Sequence, residues 1–185
     1  MAELIFSIFT VILVVYGQGI IFNEYLFKSE ITAETFFQTF FFGFIFLGFN
    51  ILIINFFLPI NKYVGTLILF FSIYFVLIKI ISSKKKIKIL KKFIILTTIT
   101  FFLIAFSNVN RPDAGLYHLP YLSILHENKV IIGLTNLHFR FGHISIIQYI
   151  SSAFNNFIIP LQSLSIPAAL IFSSFIYFLF SMFKI

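Results

Sequence analysis

Long charge-free runs separated by short polar clusters set the pattern of this chain. They are Leu4 to Asn23, Thr35 to Asn61, Tyr63 to Ile78, Phe93 to Asn110, and the 43 residues from Phe141 to Phe183. A helix rises about 1.5 Å per residue, so roughly 20 apolar residues cross a hydrocarbon core about 30 Å thick. The last run has room for two crossings, divided near Pro160 and Pro167. Within the runs the chain is apolar all round, as in FFQTFFFGFIFLGFNILIINFFL, and does not alternate with the two-residue period of barrel strands. The predicted fold class is all-α: one transmembrane domain over residues 1–185. Its six spans are expected near 4–23, 36–58, 63–82, 93–108, 144–160 and 166–183. Gly17, Gly19, Gly43 and Gly48 read as places where helices pack closely.

Composition supports this reading. Sixty per cent of the residues are hydrophobic, ten per cent are charged and thirty are Phe, more apolar surface than a soluble domain of this size could cover. The first run is read as a retained span, because it has no basic leader and no small-residue cleavage site. Cysteine is absent, which excludes disulfide, thiolate and cysteine-metal chemistry. The net charge of +7 does not point to nucleic acid, since six of the thirteen basic residues lie in KKKIKILKK, Lys84 to Lys92, between two spans. The positive-inside rule makes 83–92 a cytoplasmic loop and, by alternation, 108–143 an extracytoplasmic one. The N-terminus then lies outside and the Glu24 to Glu34 loop inside.

The 108–143 region holds both arginines, the only aspartate and all four histidines. Arg111-Pro112-Asp113 follows a span directly, and Pro112 holds Arg111 extended, so Asp113 is expected at the membrane surface. A carboxylate there could pair with Arg111 or Arg140, bind a divalent cation, or take a proton from a hydroxyl. AGLYHLPYLSIL, residues 114 to 125, spaces Leu116, Leu119, Leu122 and Leu125 as a short interfacial helix, with Pro120 in its first turn and Tyr117 and Tyr121 in the aromatic belt. His118, His126, His138 and His143 contain no HxxxH or HExxH pair, so no metal site is assigned. In GLTNLHFRFGH, Asn136, His138 and Arg140 fall at spacing two, which would put them on one side of an extended segment. A guanidinium there could grip phosphate through two hydrogen bonds, or the segment could simply pack through its apolar side.

Asp113 followed by Tyr117-His118-Leu119-Pro120, together with GLTNLHFRFG from Gly133 to Gly142, resembles an uncharacterised family of bacterial polytopic membrane proteins. That family in turn is similar to the GT-C class of membrane glycosyltransferases. The resemblance implies transfer of a sugar from a polyprenyl-phosphate donor to an extracytoplasmic acceptor in cell-envelope glycan assembly. Asp113 would be the base, and Arg111, Tyr117, His118, Asn136, His138 and Arg140 would bind substrate. It implies the bacterial inner membrane and no cofactor, with a divalent cation as the open alternative. It also makes 185 residues look like an N-terminal fragment or truncated homologue. The alternative function is a non-catalytic component that binds or moves lipid-linked saccharide. A channel subunit is disfavoured, because no span interior carries an ionisable residue.

Overall fold

The computed structural model describes residues 2–28, 35–82, 86–106, 114–142 and 145–183. Among these the chain is helical with no strand, and seven α-helices follow in order: α1 Ala2–Ile20, α2 Phe36–Phe57, α3 Lys62–Ser82, α4 Lys86–Phe106, α5 Leu119–Glu127, α6 Ile146–Phe154 and α7 Ile166–Phe183. Five stretches among the described residues are long and apolar enough to cross a membrane: Ala2–Leu26, Phe36–Phe57, Lys62–Lys79, Ile87–Phe106 and Ile166–Phe183.

The first of these is the hub. Most of α1 is buried, with Ile8, Val11, Ile12, Val14 and Val15 fully enclosed. Glycine is what lets its neighbours come so close: a Cβ on Gly17 would strike the Ser72 carbonyl of α3, and one on Gly19 the Thr39 carbonyl of α2. Small residues serve this purpose in membranes, where lipid is as apolar as Leu and contact has to come from close packing. Around that seam Tyr16, Phe36 and Phe93 join α1, α2 and α4, with ring centroids 5.1 Å apart in each pair. Gln18 is buried too, donating to Ser72 Oγ at 2.7 Å and accepting from Asn50 at 3.3 Å, so its amide is satisfied inside the bundle.

Contacts between helices give the bundle two distinct ends. At the basic end Lys79 pairs with Glu24, the Lys92 ammonium lies 5.9 Å from the Phe36 ring centre, and Phe178 of α7 stacks on Phe37 at 4.6 Å. At the opposite end, here the loop end, the α2–α3 turn is stapled to the segment after α5. Ile60 N–H donates to Leu125 O at 2.8 Å, Val130 N–H to Asn55 O at 3.0 Å, and the Asn55 amide to Asn128 O at 3.1 Å.

Two expectations change. Helix α4 begins at Lys86, so much of the basic segment expected as a loop over 83–92 forms its first turns. Lys and Leu are good helix formers and no Gly or Pro interrupts the segment. The span expected at 144–160 is instead the nine-residue α6, roughly 14 Å long and too short to cross. Its first residue, Ile146, packs on Gly48, nine residues before the end of α2, while Ala153 and Asn156 pack on Gly65, three residues into α3. Helix α6 therefore begins well inside the bundle and rises to the loop end. Asn156 stops it there: its Oδ1 accepts from Ile158 N–H at 2.9 Å and Ile159 N–H at 3.0 Å, supplying a local alternative to helix. Ser151 Oγ then donates to Leu164 O at 3.1 Å, so α7 starts at the loop end and runs to the basic end.

Candidate functional site

Among the described residues the loop end gathers His118, His126, His138 and Arg140, and the local sequence explains how. A π-helical turn, Ala114–His118, runs into α5 with Pro120 in the first turn, where its missing N–H leaves no bond unmade. Helix α5 buries Tyr121, Leu122 and Leu125, while Leu116 and Leu119 of the expected apolar stripe are exposed. The buried face is rotated because α6 and the α2–α3 turn supply the partners. Tyr121 accordingly leaves the aromatic belt assigned to it: it is 3% exposed, its hydroxyl donates to Tyr149 at 3.4 Å, and its ring lies 6.0 Å from Phe141. Burial first, and then the Tyr149 hydroxyl, push the Tyr121 hydroxyl pKa well above the ordinary tyrosine value, so it keeps its proton.

The stretch after α5 is built from 3-10 turns, Leu134–Asn136 and Phe139–Gly142, where an extended segment was expected. Gly133, at φ +86°, turns the chain into the first of them. With three residues per turn, positions two apart point in different directions. Asn136, His138 and Arg140 therefore do not share one side. Asn136 is exposed, and its amide nitrogen lies against Gly133.

Arg140 does reach the start of the loop. Its guanidinium carbon lies 5.0 Å from the centre of the Tyr117 ring and 5.7 Å from that of Phe139. A guanidinium on a ring face keeps its charge near the ring quadrupole, worth about 0.5–1 kcal/mol at an exposed site. Its N–H bonds lie in the guanidinium plane, in the fork that matches an oxyanion. The Tyr117 ring meets His118 at 4.2 Å, and His118 Nδ1 lies 3.0 Å from Gln148 Nε2. His138 stacks on Phe139 at 5.1 Å, and its Nδ1 accepts the Arg140 backbone N–H at 3.2 Å. Tyr117, His118, His138 and Arg140 thus form one connected group. Arg111 and Asp113, the other two candidates, lie outside the described residues, as does His143.

Two residues join the site that the sequence reading did not select. Gln148 could have been found, because Ser145-x-x-Gln148 is a helix-start signature: Ser145 Oγ accepts from Ile147 N–H at 3.2 Å and Gln148 Oε1 from Ser145 N–H at 3.1 Å. His126 is the second. It is half-buried between α5 and α6, and its Nε2 donates to Ser152 O at 3.0 Å. Burial lowers its pKa from the ordinary imidazole value, which the backbone hydrogen bond partly opposes; Lys62 lowers it further and Glu127 raises it.

No three His, Cys, Asp or Glu side chains among the described residues gather as a metal site. The arrangement brings together a guanidinium, two imidazoles and a tyrosine ring.

The family described as a domain of unknown function, DUF8201, matches residues 1–185. The chain belongs to that family. No curated protein and no solved structure matches it.

Proposed function

We propose that this chain is a membrane glycosyltransferase-like protein whose loop end receives the phosphate of a polyprenyl-phosphate sugar. The observation that carries the reading is Arg140 held on Tyr117, beside His118 and His138, at one end of an apolar bundle. A donor dissolved in the bilayer by its tail presents its phosphate at the interface, where these groups can meet it. Asp113, immediately before the Ala114–His118 turn in sequence, is the base that takes the acceptor hydroxyl proton. The sugar's anomeric carbon then bonds to that hydroxyl oxygen as its bond to the phosphate oxygen breaks. The departing phosphate keeps the electron pair, and Arg111, Arg140 and the imidazoles stabilise its charge.

The same reading sets the topology. Five crossings, with α6 as a re-entrant half-helix, put the basic end in the cytoplasm and the loop end outside, in a bacterial inner membrane. Residues 155–160, the non-helical segment after α6, lie at the loop end, with Asn156 and Ile159 buried.

Right-side-out vesicles test chemistry and placement together. The wild-type chain should glycosylate acceptor added outside, and Asp113→Asn should lower the rate by at least about a hundredfold, the scale of a lost general base, with membrane insertion unchanged. Full activity of Asp113→Asn would remove the catalytic role. Retained phosphate binding without any wild-type transfer would favour the second reading, a non-catalytic binder of lipid-linked saccharide, for which the Tyr117–Arg140 pair would suffice.

A further inference from the structure

We infer that Gln148 is a positioning residue that fixes the proton of His118 on Nε2, making this imidazole a hydrogen-bond donor to the ligand and not a base. A backbone N–H can only donate, so the group facing Ser145 N–H at 3.1 Å has to be the amide oxygen of Gln148. That settles which way round the amide lies, a choice that hydrogen bonding alone decides for Asn and Gln. Its other end, an NH2 that can only donate, then faces His118 Nδ1 at 3.0 Å. Nδ1 must offer a lone pair, and the proton of the neutral ring is on Nε2.

His138 reaches the same state by a separate route, because its Nδ1 accepts the Arg140 backbone N–H at 3.2 Å. The two imidazoles linked to the Arg140 pair therefore carry their protons on the same nitrogen. His126 does as well, but it spends its Nε2–H on the Ser152 carbonyl. His118 is exposed, so its Nε2–H is available to an outside acceptor such as a phosphate oxygen. A ring in this state has no lone pair left to accept a hydroxyl proton. Neither His118 nor His138 is therefore the base.

The ligand half of this inference rests on the proposed phosphate site; the tautomer half does not. The discriminating variant is Gln148→Glu. Ser-x-x-Glu is itself a capping box, so the start of α6 keeps its cap, but the carboxylate has only acceptors to turn towards His118. The readout is the nitrogen spectrum of histidine-labelled protein in lipid nanodiscs at mildly alkaline pH, with His118→Gln to assign the ring.

Wild-type His118 should show a protonated Nε2 and a bare Nδ1, and Gln148→Glu should move the proton to Nδ1 while the His138 signals stay in place and report an intact fold. A wild-type His118 protonated on Nδ1, or a Gln148→Glu spectrum identical to wild type, would overturn the assignment. Polyprenyl phosphate added to wild type should shift the His118 Nε2–H signal. If the tautomer result holds and that signal does not move, the positioning role stands and the phosphate reading falls.

Discussion

Where α1 crosses α2 and α3, backbone lies against backbone, with Gly17 on the Ser72 carbonyl and Gly19 on the Thr39 carbonyl. Where α5 meets α6, polar side chains do the joining: Tyr121 to Tyr149, His126 to the Ser152 carbonyl, His118 to Gln148. The first kind of contact depends on shape and leaves no room to adjust. The second depends on direction and on protonation, so its parts can respond to pH or a ligand. The spanning helices act as a frame, and the loop end carries the groups whose state can change.

Breaking the frame should have the largest effect. Gly17→Val places two methyl groups where the Ser72 carbonyl sits and pushes α3 away from Gln18. Overpacking of this kind costs about 3 kcal/mol. The variant should lose its cooperative thermal transition in detergent, followed by size-exclusion chromatography of heated samples. A transition equal to wild type would show that the helices do not meet as closely as described.

The contrast also accounts for what was legible in the sequence. Charge-free runs of the right length gave the positions of α1, α2 and α3, because a bilayer imposes a single length rule on every span. That rule is blind inside the 43-residue run from Phe141 to Phe183, where a half-helix and a full one are equally apolar. The signals that divide it are polar and local: Ser145 with Gln148 to start α6, and Asn156 to end it. At the site, pairing of Tyr117 with Arg140 was not legible, since it depends on how 3-10 turns bring position 140 back to position 117. Spacing-two reasoning failed for Asn136 because Gly133 turned the chain before any extended segment could form.

A smaller, pH-dependent effect is expected at the loop end. His126 takes a proton less readily when α5 is docked than when it is free, so the undocked state gains protons first as pH falls. The stability that the docked state holds at neutral pH is lost progressively below about 6.5, down towards the lowered native value. Lys62 deepens the effect and Glu127 offsets it. Hydrogen-exchange protection of residues 121–130 should fall between pH 7.5 and pH 5, while that of α1 stays constant, and His126→Asn should flatten the change. Equal losses in both regions would mean that the two ends do not differ in this way.

In the proposed function the loop end binds a lipid-borne phosphate through Arg140. The most direct test is the affinity of polyprenyl phosphate for the protein in nanodiscs, wild type against Arg140→Ala. Losing a charge-assisted hydrogen bond worth about 1.5–3 kcal/mol should weaken binding by at least about tenfold. Equal affinity of the two proteins, or no binding by the wild type, would mean that Arg140 does not hold a lipid phosphate.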